Sequence, residues 1–244
     1  MILQNKKAEI KFFDHFDKQG GYDVFDKDGY LEMISWMTDL IPPRKNKIIY
    51  DLGCGSGAFT SHLYQAYPNC KIIGVDISRG CIKRAQKDFP KIDFMVGDIE
   101  NLRIKSSSVD VACYSGILHH FPNFELVAKE GHRILRPRGT FFSYDPHYFN
   151  PAFWIYRSKS SPLHSNIGIT SNERLLTAKE IGETFSKAGF DTKIQIKSGI
   201  AFCYIAGKTK PLLKCYNVID GILGKTPFAR FFGAWVVGFG MKKS

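Results

Sequence analysis

Tyr50-Asp51-Leu52-Gly53-Cys54-Gly55-Ser56-Gly57-Ala58-Phe59 decides the fold of this chain. The apolar Ile48-Ile49-Tyr50 before it reads as a strand, and the residues after it read as a helix. Three glycines at alternate positions let a strand turn sharply into a helix and let a ligand approach the backbone closely, because no Cβ intervenes. Asp51 stands two residues before the first of them. An anion at the mouth of a purely phosphate-binding turn gains little, whereas a ligand with a cationic end gains from it.

Outward from this turn, strand and helix signals alternate. Strands are expected at 47–52, 71–76, 93–96, 109–115 and 140–145. Helices are expected at about 58–66, at 79–88 behind an N-cap Ser78, and at 125–135. Five such alternations predict a doubly wound parallel sheet, which binds ligands at the carboxyl ends of its strands. The positions to inspect are Asp51, Asp76, Gly97-Asp98, Ser115-Gly116 and Asp145. Asp76 is placed to accept from ribose hydroxyls. Asp98 is placed to accept from an adenine amine, with Ile77 and Ile99 beside the ring.

These stretches together resemble the class I S-adenosylmethionine (SAM) dependent methyltransferases. DLGCGSGAF is similar to their first motif, GVDIS at 74–78 to the ribose-binding motif, and GDIENL at 97–102 to the adenine loop. SVDVACYSGILHHFPN at 108–123 is similar to the fourth strand and its loop, and LRPRGTFF at 135–142 to the approach to strand five. The resemblance implies an α/β fold: a Rossmann-like doubly wound seven-stranded sheet, an antiparallel last strand at 234–241, and an N-terminal helical cap. It implies SAM as cofactor, S-adenosylhomocysteine as product, and no required metal. The cofactor residues it implies are Asp51, Gly53, Cys54, Gly55, Gly57, Asp76, Ile77, Asp98, Ile99, Ser115 and Gly116, with Tyr22 as a lid contact.

A competing reading stays open at this point. Gly53 to Ala58 also satisfies G-x-G-x-x-A, and Asp76 suits an NAD ribose, so an oxidoreductase fits the glycines. Against it, Asp51 would face a pyrophosphate and Asp98 would have no partner. Two further alternatives are an RNA methyltransferase and a SAM-binding protein without catalysis. The loop after strand four, Ser115-Gly116-Ile117-Leu118, lacks the Asn/Asp-Pro-Pro-aromatic motif of amino-directed base methyltransferases, which disfavours nucleic acid.

Methyl transfer needs alignment, exclusion of water and, for a protonated acceptor, a base. The candidates are His119 and His120 after strand four and His147 after strand five. O-methylation is the favoured chemistry. The acceptor pocket is expected from segments outside the central alternation, which carry aromatics such as Phe13, Tyr148, Phe149, Phe153, Trp154, Phe202 and Tyr204.

The 244 residues divide into an N-terminal cap (1–44), a cofactor-binding core (45–145) and acceptor-side insertions with the closing strands (146–244). A helix from Thr177 to about Lys187 and a strand near 193–197 are expected in the last part. The N-terminus shows no signal-peptide pattern, and the six cysteines show neither paired nor zinc-binding spacing, so a cytoplasmic protein with reduced thiols is expected. The formal charge is +11, and residues 193–244 hold nine Lys/Arg against the single acid Asp220. That region, with an amphipathic run around 212–223, raises peripheral contact with a membrane surface. The expected acceptor is a small molecule or a lipid- or glycan-linked intermediate.

Overall fold

The computed structural model describes residues 4–18, 25, 27–157, 160–162, 164, 170–198 and 213–243. Two helices, α1 (Lys6–Lys18) and α2 (Lys27–Leu40), precede the sheet. Then follow β1 (Ile48–Leu52), α3 (Ala58–Ala66), β2 (Lys71–Asp76), α4 (Arg79–Asp88), β3 (Asp93–Val96) and β4 (Val109–Ser115). A 3₁₀ turn (Leu118–His120) leads to α5 (Glu125–Ile134) and β5 (Leu135–Pro146). The chain ends with α6 (Pro151–Arg157), α7 (Ala178–Lys187), β6 (Phe190–Lys197), α8 (Leu213–Leu223), α9 (Ala229–Phe232) and β7 (Trp235–Lys242).

The seven strands lie in the order β3-β2-β1-β4-β5-β7-β6. β7 runs antiparallel between β5 and β6, with Tyr144 opposite Val237 and Ile194 opposite Gly238. The antiparallel insertion expected from the sequence is therefore present. The central strands are apolar on both sides because both sides are covered. On one side Ile49, Cys113 and Phe142 pack with Met33 and Met37 of α2 and Leu63 of α3. On the other, Leu52, Ala112, Tyr114 and Phe141 pack with Val127 of α5 and Phe185 of α7. Successive strand residues thus enter opposite cores, as the two-residue repeat of a strand requires.

Local signals act as their chemistry dictates. Ser78 Oγ accepts from Cys81 N–H at 3.0 Å and starts α4, and Thr177 Oγ1 accepts from Glu180 N–H at 3.2 Å and starts α7. The Glu180 carboxylate does not complete a capping box; it pairs with Arg174 instead. β5 begins at Leu135, earlier than the expected Thr140. Leu135 pairs with Val109 and Thr140 with Val111, so the ladder steps over a bulge at 136–139, where Arg138 has φ of +63°.

The N-terminal helices tie down across the carboxyl ends of the strands. Asp14 of α1 accepts from Ser78 Oγ at 2.6 Å and from Gly80 N–H at 3.1 Å. Lys6 Nζ reaches Asp98 Oδ2 at 2.6 Å and Glu100 Oε2 at 2.5 Å. α1 is thereby fixed over both loops that follow β2 and β3.

Candidate functional site

The glycine turn folds as its composition demands. Gly53 (φ +84°) and Gly55 (φ +54°) occupy left-handed backbone that disfavours a side chain. A Cβ on Gly53 would meet Ile117 Cγ1 at 2.3 Å, so this glycine lets the β4 loop close over the turn. A Cβ on Gly55 would meet nothing within 4 Å; it would project into a cavity of about 200 Å³. Gly57 is absent from the cavity lining and sits against the Phe94 ring. Gly53, Cys54, Gly55, Asp76, Ile77, Asp98, Ile99, Ser115 and Gly116 all border the cavity. Tyr22 lies outside the described residues.

The three acids are held in three different ways. Asp51 is wholly buried and does not line the cavity. Its oxygens accept from Thr60 Oγ1 at 2.6 Å and Ser115 Oγ at 2.5 Å. Of these two donors Ser115 borders the cavity, so its hydroxyl links Asp51 to the cavity wall. Asp76 accepts from Gly55 N–H at 2.9 Å and Ser78 N–H at 2.8 Å, one bond to each oxygen. Each carboxylate oxygen keeps further lone pairs for hydroxyl donors. Asp98 accepts from Glu100 N–H at 3.0 Å and is paired with Lys6 of α1, whose charge it shares with the Glu100 carboxylate.

Burial pushes the Asp51 carboxyl up to about 6, with its hydroxyl donors opposing, and pushes Asp76 upward too. A carboxyl raised in the folded state binds its proton more tightly folded than unfolded. Its contribution to stability therefore falls as pH climbs from about 4 to about 6 and stays lowest above that. The displacement of Asp51 from its usual value corresponds to about 3 kcal/mol. Asp51→Asn should flatten this decline, measured by urea unfolding between pH 4 and 7. An unchanged pH slope would mean that Asp51 titrates normally.

His119 and His120 both reach the cavity, and each is anchored by an acid. His119 Nδ1 lies 2.8 Å from Asp145 Oδ1, which also accepts the His119 main-chain N–H at 3.0 Å. The Nε2 atom lies 3.7 Å from Glu173 Oε1, and Glu173 is ion-paired with Arg157. Burial first, then the positive neighbours His120, Arg157 and Arg174, hold the His119 ring well below the usual imidazole range. Burial likewise pushes Asp145 well up, against the N–H groups of His119 and Leu118. His120 Nδ1 lies 3.3 Å from both Thr170 Oγ1 and Glu9 Oε2. Burial would raise Glu9, but His120, Thr170 and Asn172 hold it below the usual carboxylate range.

His147 is not brought into this group. Its Nδ1 is 2.9 Å from the Gly233 carbonyl, and its main-chain N–H donates to Ala234 O at 2.9 Å. It fastens the end of β5 to the start of β7. His119, His120 and Glu173 offer ligand atoms within 4.8 Å of one another, but the Arg157 guanidinium already compensates Glu173. The aromatic lining also differs from expectation. Phe13 and Phe153 border the cavity, but Tyr148, Phe149 and Trp154 face solvent, and Phe202 and Tyr204 lie outside the described residues. Tyr30, Phe59, Tyr144 and Trp235 complete the wall, because α2, α3 and the neighbouring strands β5 and β7 converge there.

Residues 50–143 match the family model described as a methyltransferase domain. The chain carries a class I SAM-dependent methyltransferase domain. The domain's relatives include an uncharacterised methyltransferase-like protein of Schizosaccharomyces pombe, 33% identical over 45% of this chain and 42% of that protein. Another is phthiotriol/phenolphthiotriol dimycocerosates methyltransferase 1 of Mycobacterium ulcerans, 32% identical over 48% of this chain and 44% of the relative. The matched stretch thus spans less than half of each. Among solved structures, phosphoethanolamine N-methyltransferase 2 of Haemonchus contortus, bound to phosphomonomethylethanolamine and S-adenosylhomocysteine, superposes with a TM-score of 0.65. It is 14% identical and the alignment covers 88% of this chain and 53% of that one, a likeness of fold.

Several residues of the methyltransferase domain's site left little trace in the sequence. Asp145 was visible as a strand-end acid, without its histidine. Glu9, Glu173 and Arg157 come from helical or irregular segments far along the chain from the two histidines, and their spacing carries no signal for these contacts.

Proposed function

We propose that this chain transfers the methyl group of SAM to a hydroxyl of an apolar acceptor, a small molecule or a lipid- or glycan-linked intermediate. The observation that carries the reading is the His119–Asp145 pair, set on the same cavity as the glycine turn and Asp76. The cavity suits the cofactor: Gly55 leaves room where any side chain would intrude, and Asp76 keeps acceptor capacity beside it. Asp76 would hold the ribose, Ile77 and Ile99 would flank the adenine, and Asp98 would sit at its edge.

SAM supplies, when bound, a methyl carbon already activated by its sulfonium. The residues of the chain then have three tasks. The aromatic wall excludes water and holds an apolar acceptor. His119 takes the acceptor proton at Nε2 as the hydroxyl oxygen attacks. Asp145 fixes the ring through Nδ1–H and offsets the positive charge that appears on it. The reading of the acceptor as apolar also draws on the relative named for phthiotriol and phenolphthiotriol dimycocerosates.

Calorimetry with SAM, S-adenosylhomocysteine and NAD tests the cofactor, since saturable NAD binding without SAM binding would falsify the reading. Incubation with methyl-labelled SAM and a membrane-lipid extract tests the acceptor: label should enter the organic phase as an ether. Label found on nitrogen would replace the hydroxyl by an amine.

A further inference from the structure

α8 is oriented against the usual rule for a helix in water. Asp220, its only acid, is buried, and Tyr216 one turn earlier lines the cavity. The opposite side presents Val218 and Ile222 to solvent, 63% and 62% exposed. α6 does the same: Phe153 faces the cavity while Trp154, 54% exposed, points outward. At α9, Phe228 and Phe231 stand in solvent as well. Asn150, buried beneath, joins the three elements. Its Nδ2 donates to Phe232 O at 2.8 Å, and its Oδ1 accepts from Phe153 N–H at 3.1 Å and from Tyr216 Oη at 3.5 Å. The three elements that carry these exposed apolar groups are therefore stitched to one another.

Among the described residues, the exposed charges that α8, α9 and the turn between them present have one sign, because Asp220, the acid of α8, is turned inward. Lys225 and Arg230 are exposed, and the Arg230 guanidinium lies 4.8 Å from the Phe231 ring centre. A second copy of this chain would bring equal positive charge against it, which is unfavourable. A nucleic acid would satisfy the charge and leave the apolar groups in water. Among the described residues no helix is long and apolar enough to cross a membrane.

We infer that the α6–α8–α9 face docks on an anionic lipid surface. Trp154, Val218, Ile222, Phe228 and Phe231 enter the interface, and Lys225 and Arg230 meet the headgroup phosphates. This goes beyond the transfer chemistry and holds for any acceptor. Since α6 and α8 also wall the cavity, docking sets that wall against the bilayer.

The test is sedimentation of the full chain with vesicles of phosphatidylcholine alone or with about 30% phosphatidylglycerol, at low and high salt. The chain should bind the anionic vesicles at low salt, more weakly at high salt, and phosphatidylcholine little. Removing the two cations by K225Q/R230Q should weaken partitioning by about 30-fold, roughly 2 kcal/mol. W154S/I222S/F231S should weaken it at least about tenfold with the fold intact by circular dichroism, because those side chains are exposed. Absence of binding at low salt would overturn the inference. So would wild-type binding by both variants, or a solution dimer that both variants dissociate.

Discussion

His119→Ala is expected to lower kcat by about 10²–10⁴-fold, the range of a positioned proton-transfer group, while SAM affinity changes little. The ring borders the cavity through one edge and is fixed by Asp145 through the other, so alanine removes the proton acceptor without touching Asp76 or the glycine turn. The kcat/KM profile should rise with pH through a limb set below the usual histidine range, because burial and the nearby Arg157 and Arg174 disfavour the imidazolium. Asp145→Asn tests the positioning role separately. The amide oxygen can still accept a hydrogen bond, but the negative charge that supports the imidazolium is lost. The acidic limb should therefore move to lower pH as kcat falls. A variant that only melts earlier, with an unmoved profile, would reduce Asp145 to a structural residue. Wild-type kcat in His119→Ala would show that proximity to the sulfonium suffices and that no base is used.

Asp76→Ala is expected to weaken SAM binding by at least about 100-fold, the loss of two charge-assisted hydrogen bonds at about 1.5–3 kcal/mol each. The carboxylate does two things at once. It fixes the glycine turn by accepting from Gly55 N–H, and it fixes the start of α4 by accepting from Ser78 N–H. Its remaining lone pairs are those a ribose would use. Asp76→Asn separates the two roles, since one oxygen can still accept from the backbone. Calorimetry should show Asp76→Asn nearly as defective as alanine, with a melting temperature closer to wild type. Full affinity in either variant would place the nucleoside elsewhere.

Much of this site was legible because its parts are local. Gly53 and Gly55 need left-handed backbone, Ser78 needs only the N–H three residues on, and Asp76 and Asp98 stand at the ends of short apolar runs. These features depend on neighbours within a few residues, so the pattern announces them. Asp51 shows the limit of such reading. Its place beside the glycines suggested direct contact with a cationic ligand, yet Thr60 and Ser115 enclose it below the cavity floor. The side chain of a strand residue points to one face or the other, and the register of the sheet decides which.

The alternation of apolar strands with capped helices, and the acids at the strand ends, determined by themselves the doubly wound sheet and the edge of it that borders the cavity. Period-two and period-3.6 burial and backbone sterics are properties of short segments. The tertiary structure alone decided that His119 meets Asp145, that Glu9 meets His120 and that His147 turns away to Gly233. It also decided that α8 buries its aspartate and exposes its valine and isoleucine. Those outcomes rest on contacts between residues far apart in the chain, whose distances only the packed sheet and its cap determine.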